Sequence, residues 1–143
     1  MILTLDRAAA FVVEAHARGH RVAFTTGAFD LLHPGHVRRL AAARAKGDLL
    51  LVGINSDRLT RAAKGPARPV TPENERAEIV ASLAVVDAVV IIDDDVSQRV
   101  VDRLQPDVVI TDAPVEQGWS TSAIIRKAQA VPAPAPPAPQ AGR

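Results

Sequence analysis

The chain has 143 residues, 48% of them hydrophobic and 23% charged, and its 17 basic residues against 16 acidic ones leave a net charge of +1. That length allows one core and so one active centre, the composition excludes general disorder, and the near-neutral balance excludes a nucleic-acid binder that works by bulk electrostatics. The absence of cysteine removes a disulfide framework, a thiolate nucleophile and a Cys-based zinc site.

The opening stretch MILTLDRAAAFVVEAHARG carries Asp6 and Glu14 and lacks the basic-then-apolar order of a secretory signal. No apolar run has the length to span a bilayer, so a cytoplasmic protein with no membrane partner is expected. Within that stretch Thr4 or Asp6 can cap a first helix whose apolar positions Leu5, Ala9, Val12, Val13 and Ala17 recur at helical steps, with Gly19 placed to stop it. His16 and His20 read as ordinary surface or capping histidines.

Four short runs rich in Val, Ile and Leu follow, at 21–27, 48–55, 87–93 and 106–111. They are continuous rather than alternating, as strands covered on both faces are. Helical patterns separate them at 36–45, 72–84 and 97–104, with Pro72 at a favourable first-turn position, and a last helix is expected over 122–130. The alternation predicts an α/β fold, a doubly wound parallel sheet with helices on both faces. Residues 55–71 show no clear periodicity and are too long for a plain connector, so they read as a functional segment or a lid. The folded unit is expected over 1–130, and the Pro/Ala-rich 131–143 as a disordered tail with no role in chemistry. No internal repeat is present.

Chemistry concentrates at the exit of the first parallel strand, TTGAFDLLHPGHVRRL. Ligands of open parallel sheets bind beyond the carboxyl ends of the strands. Gly27 permits a tight turn and Gly35 a close approach, and the open N–H groups of the following helix form an anion site. His33 and His36 can then place ring nitrogens on one bound phosphate and donate to the charge that develops during phosphoryl transfer. A GxGxxG, which a dinucleotide-binding oxidoreductase needs, does not follow this strand.

GAFDLLHPGHVRRL resembles the HxGH signature of the cytidylyltransferase-like nucleotidylyltransferases, and the longer RGHRVAFTTGAFDLLHPGHVRRLAAARAKGDLLLVGINSD is most similar to their adenylyltransferase, ADP-heptose synthase branch. KGPARPVTPENERAEIVASLAVVDAVVIIDDD strengthens that assignment, and the likeness covers about residues 5 to 130. It implies a Rossmann-like fold and transfer of AMP from ATP to a sugar 1-phosphate, heptose 1-phosphate being favoured, with pyrophosphate released. Mg²⁺ would ride mainly on the substrate phosphates with no protein metal ligand.

By the resemblance, His33, His36 and Lys64 are catalytic. Thr26, Gly27, Ala28, Phe29, Asp30, Gly35 and Arg76 line the nucleotide, and GWSTSAII brings Trp119, Ser120, Thr121 and Ser122 to it. The capping chemistry of Ser120, Thr121 and Ser122 before an apolar helix agrees independently. Lys64 and Arg76 are favoured as phosphate contacts over solvated surface charges, Asp57 reads equally as an Asx turn or a substrate contact, and Trp119 as a base neighbour or a core side chain. Arg68 and Asp112 are substrate-binding candidates. Two departures stand out: Ala28 replaces a Thr or Cys, and the turn and strand that relatives carry between PDVVIT and the GxSTT segment are absent. Three readings therefore stay open: the adenylyltransferase, a cytidylyltransferase acting on glycerol 3-phosphate or a similar phosphorylated alcohol, and a non-catalytic nucleotide-binding module. A homodimer is expected, covering the edge that the shortened sheet leaves.

Overall fold

The structure is a computed structural model that describes residues 1–111 and 120–135. Four of its strands are those the sequence marks: β2 (Val22–Gly27), β3 (Leu49–Asn55), β4 (Ala88–Ile92) and β5 (Val108–Ile110). A fifth, β1 (Ile2–Leu3), was not foreseen, since two residues carry no readable period, and it pairs in parallel with Val89 and Val90 of β4. All pairings are parallel and the order is β1-β4-β3-β2-β5.

Six helices complete the described residues: α1 (Leu5–Ala17), α2 (Pro34–Arg44), α3 (Asp57–Lys64), α4 (Glu73–Ala81), α5 (Ser97–Leu104) and α6 (Thr121–Gln129). Thr4 caps α1, its hydroxyl accepting from the Arg7 N–H at 3.3 Å, and the chain leaves the helix through Gly19 at φ 77°. The aperiodic reading of 55–71 fails over its first half. Ser56 accepts the Leu59 N–H at 3.1 Å and starts α3, which ends at Gly65 with φ 97°. That helix escaped notice because it is only eight residues long, four of them charged, with Leu59 its one large apolar side chain. Also, α4 stops at Ala81, three residues short of the expected end, as the chain turns through 82–86 into β4.

Two apolar layers sandwich the sheet. On one face Val22, Phe24, Leu51, Val90 and Ile92 meet Ala8 and Val12 of α1 and Val100 and Leu104 of α5. On the other, Ala23, Leu50, Val52, Ile54 and Val89 meet Leu40 and Ala43 of α2 and Ala77 and Val80 of α4. β2, β3 and β4 therefore have both faces covered, which is why their sequences are continuously apolar. From β2 the chain steps to β3 and β4 on one side and then returns to place β5 on the other, so β2 is the switch point. The carboxyl end of β2 is where such a sheet opens a crevice.

Candidate active site at the exit of β2

Beyond β2 the backbone reverses sharply. Phe29 holds φ at 48°, a left-handed value rare for a bulky residue, and is 2% exposed. Its ring folds back over Gly27, where a Cβ would lie 2.8 Å from Phe29 Cε2, so glycine at 27 is a steric requirement of the turn. The ring centroid stands 5.4 Å from that of His36, and the Arg39 guanidinium lies 5.7 Å from the Phe29 centroid. Arg39, which was not foreseen, also donates to the Thr26 carbonyl at 2.8 Å and so clamps the strand exit. Its signal was its position one turn after His36 on α2.

His33 is the extended residue preceding α2, with φ −142° and ψ 169°, and Pro34 opens the helix. The His33 and His36 rings stack with centroids 3.9 Å apart and planes 23° from parallel. Burial drives His36 down to about 4, helped by the repulsion that a protonated His33 would exert and by the charges of Arg39 and Lys64, against the opposing pull of Asp30. Burial likewise lowers His33. Both rings are therefore neutral at physiological pH, each with one N–H donor. His36 Nδ1 is buried with no hydrogen-bond partner among the described residues, and the first turn of α2 holds no acidic side chain. The arrangement offers donors and a helix N-terminus to an anion.

A second helix start converges on the same place. The Ser120 hydroxyl caps α6 by accepting from the Ala123 N–H at 3.0 Å. Buried Thr121 donates its hydroxyl to the Leu31 carbonyl at 3.1 Å, joining α6 to the histidine loop. The first turn of α6 also lacks acidic residues. The Thr121–Leu31 bond thus brings the start of α6 against the loop that leads into α2.

Comparison with known proteins agrees with this geometry. The cytidylyltransferase-like family profile matches residues 24–131, from β2 through the end of α6. The chain belongs to the cytidylyltransferase-like family. It is similar to the bifunctional protein HldE of Geotalea uraniireducens, 51% identical over 109 residues, 76% of this chain and 22% of that protein. It is also similar to that of Caulobacter sp., 47% identical over 112 residues, 78% of this chain and 23% of the relative. The chain thus spans about a fifth of the length of the curated relatives it matches. Among solved structures, the lipopolysaccharide core biosynthesis protein from Thermoplasma volcanium superposes with a TM-score of 0.62 at 26% identity, covering 78% of this chain and 88% of that one. These likenesses support a nucleotidyltransferase with a Rossmann-like α/β fold and the heptose branch of the superfamily.

Within this cytidylyltransferase-like site, several charged candidates are engaged with one another. Arg76 is 0% exposed and donates to the Thr71 carbonyl at 2.8 Å, to the Ala28 carbonyl, and to Asp57 Oδ1 at 2.7 Å. Arg76 and Asp57, expected on phosphate and substrate, form an ion pair in which Arg76 is buried and Asp57 half-buried, and Arg76 props the Ala28 turn. Asp30, with a side chain wholly buried, accepts from Arg68 Nε at 2.7 Å and from the Val70 and Thr71 N–H groups at 3.0 and 2.9 Å. Burial pushes the Asp30 carboxyl up, but those two N–H donors and the Arg68 guanidinium outweigh it and hold the group below its ordinary value. Lys64 is exposed at the end of α3. Gly35 lies in the first turn of α2. Asp112 and Trp119 fall outside the described residues. A cleft of about 590 Å³ opens on the α5 side of β2, lined by Thr26, Asn55, Asp94, Gln98 and Val109 among others, and sequence reasoning missed it because six elements contribute to it.

Proposed function

We propose that the chain transfers AMP from ATP to a sugar 1-phosphate, heptose 1-phosphate being favoured, and releases pyrophosphate. The observation that carries the reading is the stacked pair of neutral imidazoles at the start of α2, in the loop that Thr121 ties to the start of α6, beyond the switch strand of the sheet. An oxygen of the acceptor phosphate attacks the α-phosphorus of ATP. The bond from that phosphorus to the oxygen bridging toward the β-phosphorus breaks, and pyrophosphate leaves with the electron pair. His33 and His36 donate hydrogen bonds to the oxygens on which charge builds, and the N–H groups of α2 and α6 add their partial positive charge. Lys64, Ser120 and Thr121 meet the phosphates, and Thr26, Gly27, Ala28, Phe29 and Gly35 form the wall the nucleotide lies on. The cleft beside Thr26 gives room for the part of the substrates that the phosphate cradle does not hold.

Mg²⁺ belongs to this reading on the triphosphate. The described residues gather no group of three or more His, Asp or Glu side chains fit to cage a cation, and Asp30 is engaged by Arg68 and two N–H groups. A cation held by substrate phosphates and water suits Mg²⁺, and when bound it neutralises phosphate charge. A homodimer built over β5 is part of the same proposal, since among the described residues that strand pairs with β2 alone.

The test is pyrophosphate release with Mg²⁺ and ATP or CTP across a panel of sugar 1-phosphates and glycerol 3-phosphate. ATP with a heptose 1-phosphate is expected to be the productive pair. Release only with CTP and glycerol 3-phosphate would replace the adenylyl reading by the cytidylyl one, and nucleotide binding without release from any pair would point to a non-catalytic module. His33→Ala and His36→Ala are each expected to lower kcat by about 10²- to 10³-fold with the fold retained. A double variant with near-normal turnover would sink the mechanism.

A further inference from the structure

Three parts of the phosphate cradle come from distant stretches of chain: the histidine loop after β2, the loop that follows Lys64, and the N-terminus of α6. One side chain touches all three. Arg68, 9% exposed, sits in the loop after Lys64, donates from Nε to Asp30 Oδ2 at 2.7 Å and from Nη1 to the Ser122 hydroxyl at 3.3 Å. Asp30 in turn accepts the Val70 and Thr71 N–H groups at 3.0 and 2.9 Å, so the loop is strapped to the histidine turn by backbone as well as side chain. The guanidinium fork is suited to this double duty, because its donors point in fixed directions toward two acceptors.

We infer that Arg68 is a positioning residue: held by Asp30, it fixes the N-terminus of α6 and the Lys64 loop against the histidine pair, and does not itself bind the acceptor. A buried ion pair is a rigid anchor, and removing one partner leaves an uncompensated charge. The link to Ser122 is the adjustable end of the strap, since Ser122 is exposed while Asp30 is enclosed. The kinetic part of this inference rests on the proposed transferase reading; the structural part does not.

The experiment uses the full chain and compares wild type with Arg68→Lys and Ser122→Ala. Arg68→Lys keeps a charge for Asp30 but cannot span to Ser122 at the same time, and Ser122→Ala removes the link from the other side, so both are expected to fold. Hydrogen exchange followed by mass spectrometry is expected to show faster exchange at 121–124 in both variants, by roughly threefold to tenfold as befits one hydrogen bond, with peptides from α4 and β4 unchanged. Pyrophosphate release is expected to lose kcat in both variants while the acceptor KM stays within about twofold, the pattern of an interaction made through geometry. Unchanged exchange at 121–124, or a raised acceptor KM at constant kcat in Arg68→Lys, would overturn the inference. Should the wild type release no pyrophosphate with any pair, the transferase proposal fails by itself, and the exchange comparison still decides whether Arg68 holds α6.

Discussion

At the residue scale, the site depends on side chains held in unusual states. Phe29 keeps a left-handed backbone, and its ring occupies the space a Cβ on Gly27 would need. His36 is held neutral by burial. An unfolded His36 takes up its proton near 6.5 and the folded one only at about 4, so between these values the unfolded chain binds more protons and stability falls as pH falls. Above 6.5 the ring is neutral in both states and contributes no slope. Thermal melting across a pH series is therefore expected to lose Tm from pH 6.5 down to 4, by an amount on the order of 3 kcal/mol at the acid end, and His36→Asn is expected to flatten much of that window. The His33 ring adds to the slope in the same direction. Asp30 acts in a separate, lower window: its depressed carboxyl stabilises the fold above its ordinary value of 3.8, and that contribution is lost on further acidification. The contiguous residues of this site were legible in the sequence because a strand, a glycine turn and a helix start follow one another along the chain. The pairings that engage Arg76 and Arg68 were not, since Asp57 lies 19 residues from Arg76 and Asp30 lies 38 from Arg68.

At the element scale, an aspartate stands at the entry of three strands and accepts a backbone N–H from a neighbour. Asp48 takes that of Arg21 beside β2, Asp87 that of Leu50 in β3, and Asp107 that of Val22 in β2, each at 2.7 Å. The sequence shows the pattern as an acidic residue directly before LLL and AVV, and one position earlier than β5, but nothing along the chain tells which strand each carboxylate serves. That choice follows from the order β4-β3-β2-β5, which sets each aspartate beside the amino end of the next strand inward. Leu50 is fully buried, so Asp87→Ala leaves its N–H without a partner. The expected loss is about 1–3 kcal/mol of unfolding free energy, read from urea denaturation with an unchanged m-value. His16, read as a surface histidine, joins the same device by contacting Asp107 at 2.8 Å. Among helices, α3 went unread although its capping serine was legible, because it is only eight residues long and four of them are charged.

At the scale of the whole molecule, the order of strands puts β3 in the middle, β2 beside it and β5 at the rim. Val109 on β5 is 39% exposed, an unusual value for valine in a sheet of this class. If a second copy covers that rim, sedimentation velocity is expected to give a dimer that Val109→Lys returns to monomer, whereas a monomeric wild type would remove the dimer from the proposal. What the sequence by itself determined was the layered α/β class, the four principal strands, five of the six helices and the histidine turn, because each is written in local periodicity, capping chemistry or a contiguous motif. What only the tertiary structure decided was the pairing of β1 with β4, the convergence of α6 on the histidine loop, the engagement of the charged candidates with one another and the cleft beside Thr26. These depend on contacts between residues far apart in the chain, and a local pattern can announce that a side chain is charged or apolar but not which partner the fold brings to it.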